Sequence, residues 1–196
     1  MAQYDPQTAL IVVDVQNDFA DPGGSLYVRQ GEQVVPVVNR EVELAGRAGA
    51  TVVYTQDWHP ESTPHFQKDG GIWPVHCVQG TWGAEFHSQL HVEGEVVRKG
   101  SGGDDGYSGF AERDPESGEE QATALESLLR DRGVRRVVVV GLATDYCVKE
   151  TAIDAAAKGF EVIVLARAVR AVELEPGDGQ RAFEDVQRAG ATIAAG

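Results

Sequence analysis

The sequence predicts a doubly wound α/β domain, a mainly parallel six-stranded sheet with helices on both faces. Three observations point to it. Short runs such as Leu10-Ile-Val-Val13 and Val137-Val-Val-Val140 are apolar at every position, the pattern of strands covered on both sides. Longer amphipathic segments alternate with these runs, as the crossover helices of parallel strands do. Glycines at 49, 133 and 159 stand where those segments should end in a C-cap.

The elements follow in order. Residues 8–15 read as the first strand, 33–48 as a helix, and 51–55 as the second strand. The third is the short apolar run Val96-Val97-Arg98. A helix over 119–132 leads to the fourth strand, 136–141, and a further helix covers 148–158. The fifth strand spans 161–166, a last helix spans 178–189, and the sixth strand lies near Thr192. Two stretches break the alternation: 57–95, rich in His, Trp, Pro and Gly, and 101–120, rich in Gly and acid. Loops of such length in a compact domain are usually functional. Within the first, His87 and His91 sit in a helical-looking stretch and are read as structural.

Length and charge narrow the function. A chain of 196 residues suits one domain, residues 1–196, burying about 70% of its unfolded surface. Seventeen basic against thirty-one acidic residues give a net charge of −14, which repels phosphate backbones and anionic lipid. Nucleic acid and membrane partners are therefore not expected. Two cysteines are too few for a disulfide framework, and no apolar run approaches a signal or spanning segment. A cytoplasmic protein is the expectation. The oligomeric state stays open, a homodimer included.

Open parallel sheets bind ligands beyond the carboxyl ends of their strands. There the sequence places Asp14 after strand one, Asp57 and His59 after strand two, Lys99 after strand three and Cys147 after strand four. Read singly, Asp14 is an ordinary strand-end acid and Lys99 a solvated lysine. Together they put an acid, a candidate metal pair, a cation and a thiol on one rim. Burial of Asp14 would raise its pKa toward proton exchange, while Asp18 is read as holding its loop. Cys147 falls where strand gives way to helix, so backbone N–H groups should favour its thiolate. Asp57-Trp-His59 with His65 and His76 offers imidazoles and a carboxylate suited to Zn, Fe or Mn. Cys77 is read as a small buried hydrophobe. The glycines after Lys99 do not make a dinucleotide fingerprint, and Asp104-Asp105 would repel phosphate. Gly106-Tyr-Ser-Gly109 is not a nucleophile elbow.

Seven motifs in order resemble the nicotinamidases (pyrazinamidase type) of the isochorismatase-like cysteine hydrolase family. They are Asp14-Val-Gln-Asn-Asp-Phe19, Asp57-Trp-His-Pro60, Trp73-Pro-Val-His-Cys-Val78, Gly83-Ala-Glu-Phe86, Lys99-Gly, Tyr107-Ser-Gly-Phe110 and Gly141-Leu-Ala-Thr-Asp-Tyr-Cys147. The resemblance implies an isochorismatase-like, Rossmann-like fold and a catalytic triad of Cys147, Asp14 and Lys99. It implies one divalent metal held by Asp57, His59 and His76, with His65 a fourth ligand in some relatives. It also implies a cis peptide at Leu142–Ala143, an oxyanion hole from Ala143 and Cys147, and a ring pocket of Phe19, Trp73, Tyr107 and Leu142. The implied reaction converts nicotinamide to nicotinate and ammonia through a thioester on Cys147, with pyrazinamide and other small aromatic amides as related substrates. Many relatives carry His or an apolar residue where Tyr146 stands, and the segment from Lys99 to Tyr107 is one residue longer than in close relatives. Three other readings compete with this one. An N-carbamoyl amidohydrolase would share the triad but need no metal. Isochorismatase itself lacks the cysteine. A non-catalytic metal or thiol sensor would not need the full triad.

Overall fold

The computed structural model describes residues 4–104, 106–115 and 117–195. In chain order the elements are β1 (Thr8–Val13), α1 (Asn17–Ala20), α2 (Val34–Arg47), β2 (Thr51–Asp57), β3 (Glu95–Lys99), β4 (Ala111–Arg113), β5 (Glu120–Ala122), α3 (Leu125–Asp131), β6 (Arg136–Leu142), α4 (Lys149–Ala157), β7 (Glu161–Arg170), α5 (Asp178–Arg188) and β8 (Thr192–Ala194). Six strands form one parallel sheet in the order β3-β2-β1-β6-β7-β8. The order reverses between β1 and β6, and a crevice opens beyond strand ends at such a switch point.

Alternation along β1 divides the core. Leu10 and Val12 pack with Val138 and Val140 against Val34, Val38 and Val42 of α2. Ala9, Ile11 and Val13 face the other way, toward Leu125 and Leu129 of α3, Ala152 and Ala155 of α4, and Val186 of α5. The first face has only α2 as a long helix. Cys77, Ala84 and Leu90, all from the irregular segment 58–94, complete it.

Three expectations are corrected. Residues 120–122 do not begin a helix. They pair antiparallel with Ala111–Arg113 as a separate ribbon, and α3 starts only at Leu125, whose N–H donates to the Thr123 hydroxyl at 3.1 Å. The stretch around His87 and His91 is not helical. β7 runs four residues further than residue 166, to Arg170, with a register shift against β6 between Val139 and Gly141. Asp105, which the sequence reading paired with Asp104, lies outside the described residues.

One glycine is needed to bring β1 and β6 together at the switch point. Gly141 has φ of 111°, and a Cβ there would lie 2.1 Å from the Val13 carbonyl oxygen. Only glycine allows both the conformation and the approach.

Candidate active site

Parallel register gathers the rim residues. Val13 pairs with Thr55 and Gly141, and Asp57 with Lys99, so the four strands end side by side. Asp14 follows β1 with φ of 48°, a left-handed conformation that aspartate tolerates better than most residues. Backbone bonds fix it there: its N–H donates to Thr55 O at 3.3 Å, and its carbonyl accepts from Gln16 N at 2.8 Å. Such strain, of order 1–3 kcal/mol, persists where the surroundings over-determine it.

Lys99 is the hub of the rim. Its ammonium is buried, 3.0 Å from Asp14 Oδ2 and 3.6 Å from Cys147 Sγ; it also contacts Asp57 Oδ1 directly and donates to Gly106 O at 3.1 Å. Burial works against its charge, but Asp14 and Asp57 outweigh it and hold Lys99 well above its ordinary pKa. Burial pushes Asp14 up, helped by Asp57 and opposed by Lys99 and by a 2.6 Å hydrogen bond from the Thr55 hydroxyl. Burial likewise pushes the Cys147 thiol well up; Lys99 opposes this, and Asp14 and Asp57 reinforce it. Cys147 is the fourth residue of a π-helical turn, Thr144–Val148, that precedes α4. Such turns recur at functional sites. The Leu142–Ala143 peptide is cis.

Beside the rim stand three imidazoles, with ring centroids 5.0 Å apart for His59–His65, 5.3 Å for His59–His76 and 5.4 Å for His65–His76. Each offers a nitrogen within 4.8 Å of the others. His76 Nδ1 lies 2.7 Å from Pro74 O, which only accepts, so Nε2 keeps its lone pair. Burial lowers the His76 pKa to about 4, leaving the ring neutral at pH 7. Both ring nitrogens of His59 are buried without a hydrogen-bond partner. Buried polar atoms seldom go unpaired, and three converging imidazoles are a donor set for a divalent transition metal. The residues present fit such an ion. Asp57 divides its carboxylate: Oδ1 meets Lys99, while Oδ2 lies 3.5 Å from His59 Nε2 and 3.8 Å from His76 Nε2. Burial alone would raise Asp57, but Lys99 and the two imidazoles hold it well below the usual carboxylate range. A Cβ at Gly100, where φ is 77°, would lie 2.6 Å from the His59 ring, so glycine after Lys99 leaves room for that imidazole.

A cleft of about 400 Å³, counting its open mouth, joins the two clusters. Phe19, Trp73, Tyr107, Leu142 and Ala143 line it together with Cys147, His65 and His76. Trp73 Nε1 donates to the Tyr107 hydroxyl at 2.9 Å. The sequence reading missed Leu26, Val28, Tyr146 and Val172, which also line the cleft. It also missed the brace made by Gln16, whose amide takes the Asp57 N–H at 2.8 Å and donates to Asp57 O at 2.7 Å. Adjacency to Cys147 could have marked Tyr146; Leu26, Val28 and Val172 carry no pattern. Asp18 does hold its surroundings, accepting from Ser25 N at 2.9 Å and Cys77 N at 2.7 Å, and Cys77 is wholly buried.

A parallel sheet with a thiol, two carboxylates and an ammonium at its switch point is the arrangement of an α/β hydrolase. The chain matches the isochorismatase domain over residues 8–195 and belongs to that family. It is 38% identical to the nicotinamidase of Escherichia coli over 96% of this chain and 94% of that one. Among solved structures it is similar to the pyrazinamidase of Pyrococcus horikoshii in complex with zinc (TM-score 0.86, 43% identity, 96% and 99% of the chains). It is similar also to PnC1 from L. infantum in complex with nicotinate (TM-score 0.89, 38% identity, 98% and 95%). Among the described residues no helix is long and apolar enough to cross a membrane.

Proposed function

We propose that the chain is a metal-dependent cysteine amidohydrolase that converts nicotinamide to nicotinate and ammonia and also takes pyrazinamide. One observation carries this reading: the Lys99 ammonium touches Asp14 and Asp57 and lies 3.6 Å from Cys147 Sγ, and that cysteine lines an aromatic cleft together with Asp57, His65 and His76.

Asp14 takes the Cys147 proton as substrate fills the cleft, and the sulfur attacks the amide carbon. The N–H groups of Ala143 and Cys147 hold the oxyanion, a contribution worth about 100-fold or more in rate per donor. As the C–N bond breaks, Asp14 returns the proton to the departing nitrogen, which leaves as ammonia. The acyl group remains on sulfur as a thioester. Water then adds to the thioester carbon, Asp14 accepting its proton, and nicotinate leaves as the thiol is restored. Lys99 stays charged throughout and holds Asp14 beside the sulfur. Phe19, Trp73, Tyr107 and Leu142 enclose the ring. Asp57, His59, His65 and His76 hold one divalent transition metal, Zn, Fe or Mn. Such an ion supplies a Lewis-acid contact for a pyridine nitrogen. Both cysteines are free, which suits a cytoplasmic enzyme.

The test is ammonia release from nicotinamide, with and without a chelator. Turnover that the chelator suppresses and added zinc restores is expected. Absence of turnover in metal-loaded protein would refute the assignment.

A further inference from the structure

We infer that Tyr146 is a specificity-determining residue: its ring is the partition that closes the catalytic cleft to anything larger than one small ring. The inference rests on the amidase reading for its choice of substrates, and its second arm does not.

Tyr146 immediately precedes Cys147 in the same π-helical turn, so the position of its ring is tied to that of the sulfur. Tyr146 belongs to the aromatic wall of the cleft. Its ring stands edge-on to Trp73, centroids 4.9 Å apart at 84°, and 5.3 Å from Tyr107. Tyr146 also lines a second groove of about 540 Å³, counting open solvent, together with Asp145, Lys149, Asp178, Arg181 and Asp185. The two spaces differ in chemistry. The cleft wall is aromatic and aliphatic, whereas the groove carries three carboxylates and two cations. Tyr146 lines both, and it is only partly buried.

An aromatic side chain resists displacement because its flat ring is held by neighbours on edge and face. Trp73 is in turn held by its hydrogen bond to Tyr107, so the wall behaves as a unit of three rings. A bicyclic aromatic amide that seats its carboxamide at Cys147 would drive its second ring into this wall. Removing the Tyr146 ring joins cleft and groove, and the second ring then projects into the hydrated groove.

The experiment has two arms on wild type, Tyr146→Phe, Tyr146→Leu and Tyr146→Ala. In the first, kcat/KM is measured for nicotinamide and for quinoline-3-carboxamide. The ratio, bicyclic over monocyclic, should rise about 10-fold or more in the Ala variant, chiefly through KM, a gain on the scale that one pocket group commands. The Leu variant should rise less, and the Phe variant should keep the wild-type ratio. In the second, Cys147 alkylation by N-methylmaleimide and by N-phenylmaleimide is followed by peptide mass spectrometry. The phenyl-over-methyl rate ratio should rise in the same order. Unchanged ratios in both arms for the Leu and Ala variants would overturn the partition. If wild type releases no ammonia from nicotinamide, the amidase reading fails, and the maleimide arm alone decides the role of Tyr146.

Discussion

The rim and the segment between β2 and β3 furnish the two halves of the site by different means. Asp57 and Lys99 are paired at neighbouring strand ends, and the turns that follow β1 and β6 bring Asp14 and Cys147 to them. His59, His65, Trp73 and His76 stand on 58–94, which has no long element. Isolated pairings hold it, His59 with Val78 and Phe66 with Trp73, together with tethers from Asp18 and Gln16. The first half is built by a repeating geometry, the second by individual contacts. The halves meet at Asp57, whose Oδ2 lies 3.5 Å from His59 Nε2 and 3.8 Å from His76 Nε2.

The largest expected effects separate these halves. Cys147→Ala should lower kcat by about 10⁴-fold or more, because losing a nucleophile removes the covalent path. Metal content, read by inductively coupled plasma mass spectrometry, should stay at the wild-type level. Substantial residual ammonia release by this variant would show that sulfur is not the nucleophile. His59→Ala should do the reverse: metal is lost and KM for nicotinamide rises together, while Cys147 still reacts with a maleimide. Unchanged metal content in that variant would remove His59 from the ligand set.

The same contrast explains what could be read from the chain. Strands β1 and β6 were legible because residues buried on both faces leave continuous apolar runs, and the rim residues followed from where those runs stop. The ribbon of β4 and β5 was not. Glu120-Gln-Ala122 favours a helix by intrinsic propensity, and only the register against Ala111–Arg113 overrides it. The surroundings of Cys147 were not legible either, because a helix terminus shows in sequence and burial beside two carboxylates does not. Gln16 shows the limit most clearly. Its partners are 41 and 68 residues away, at Asp57 and Ala84, and no local pattern encodes them.

Gln16 also joins the halves, so it sharpens the comparison. Gln16→Leu leaves the buried N–H and C=O of Asp57 without that amide. Each unpaired buried group costs about 1–3 kcal/mol. Denaturant unfolding should therefore show a loss of about 2–6 kcal/mol for the two groups, and zinc affinity should weaken because Asp57 is no longer braced. Wild-type stability with wild-type zinc affinity would mean that Asp57 is held by its strand alone.

The smallest effect lies wholly within the rim and concerns one proton. The Thr55 hydroxyl donates to Asp14 Oδ1 at 2.6 Å, which favours the carboxylate and opposes the rise that burial imposes. The carboxylate is the form that accepts the Cys147 proton, and it is lost as pH falls through the folded-state pKa. That pKa lies above the ordinary value of 3.8, so kcat/KM should fall on the acid side earlier than an exposed aspartate would dictate. Thr55→Val keeps the shape and removes the donor. Asp14 then rises further, and the acid limb of the profile should move to higher pH, while zinc affinity, set by Asp57 and the imidazoles, stays as it was. Thiol and carboxylate titrate as a pair, so the limb belongs to both. An acid limb in the same place would mean that Lys99, 3.0 Å from Asp14 Oδ2, governs this charge without help from Thr55.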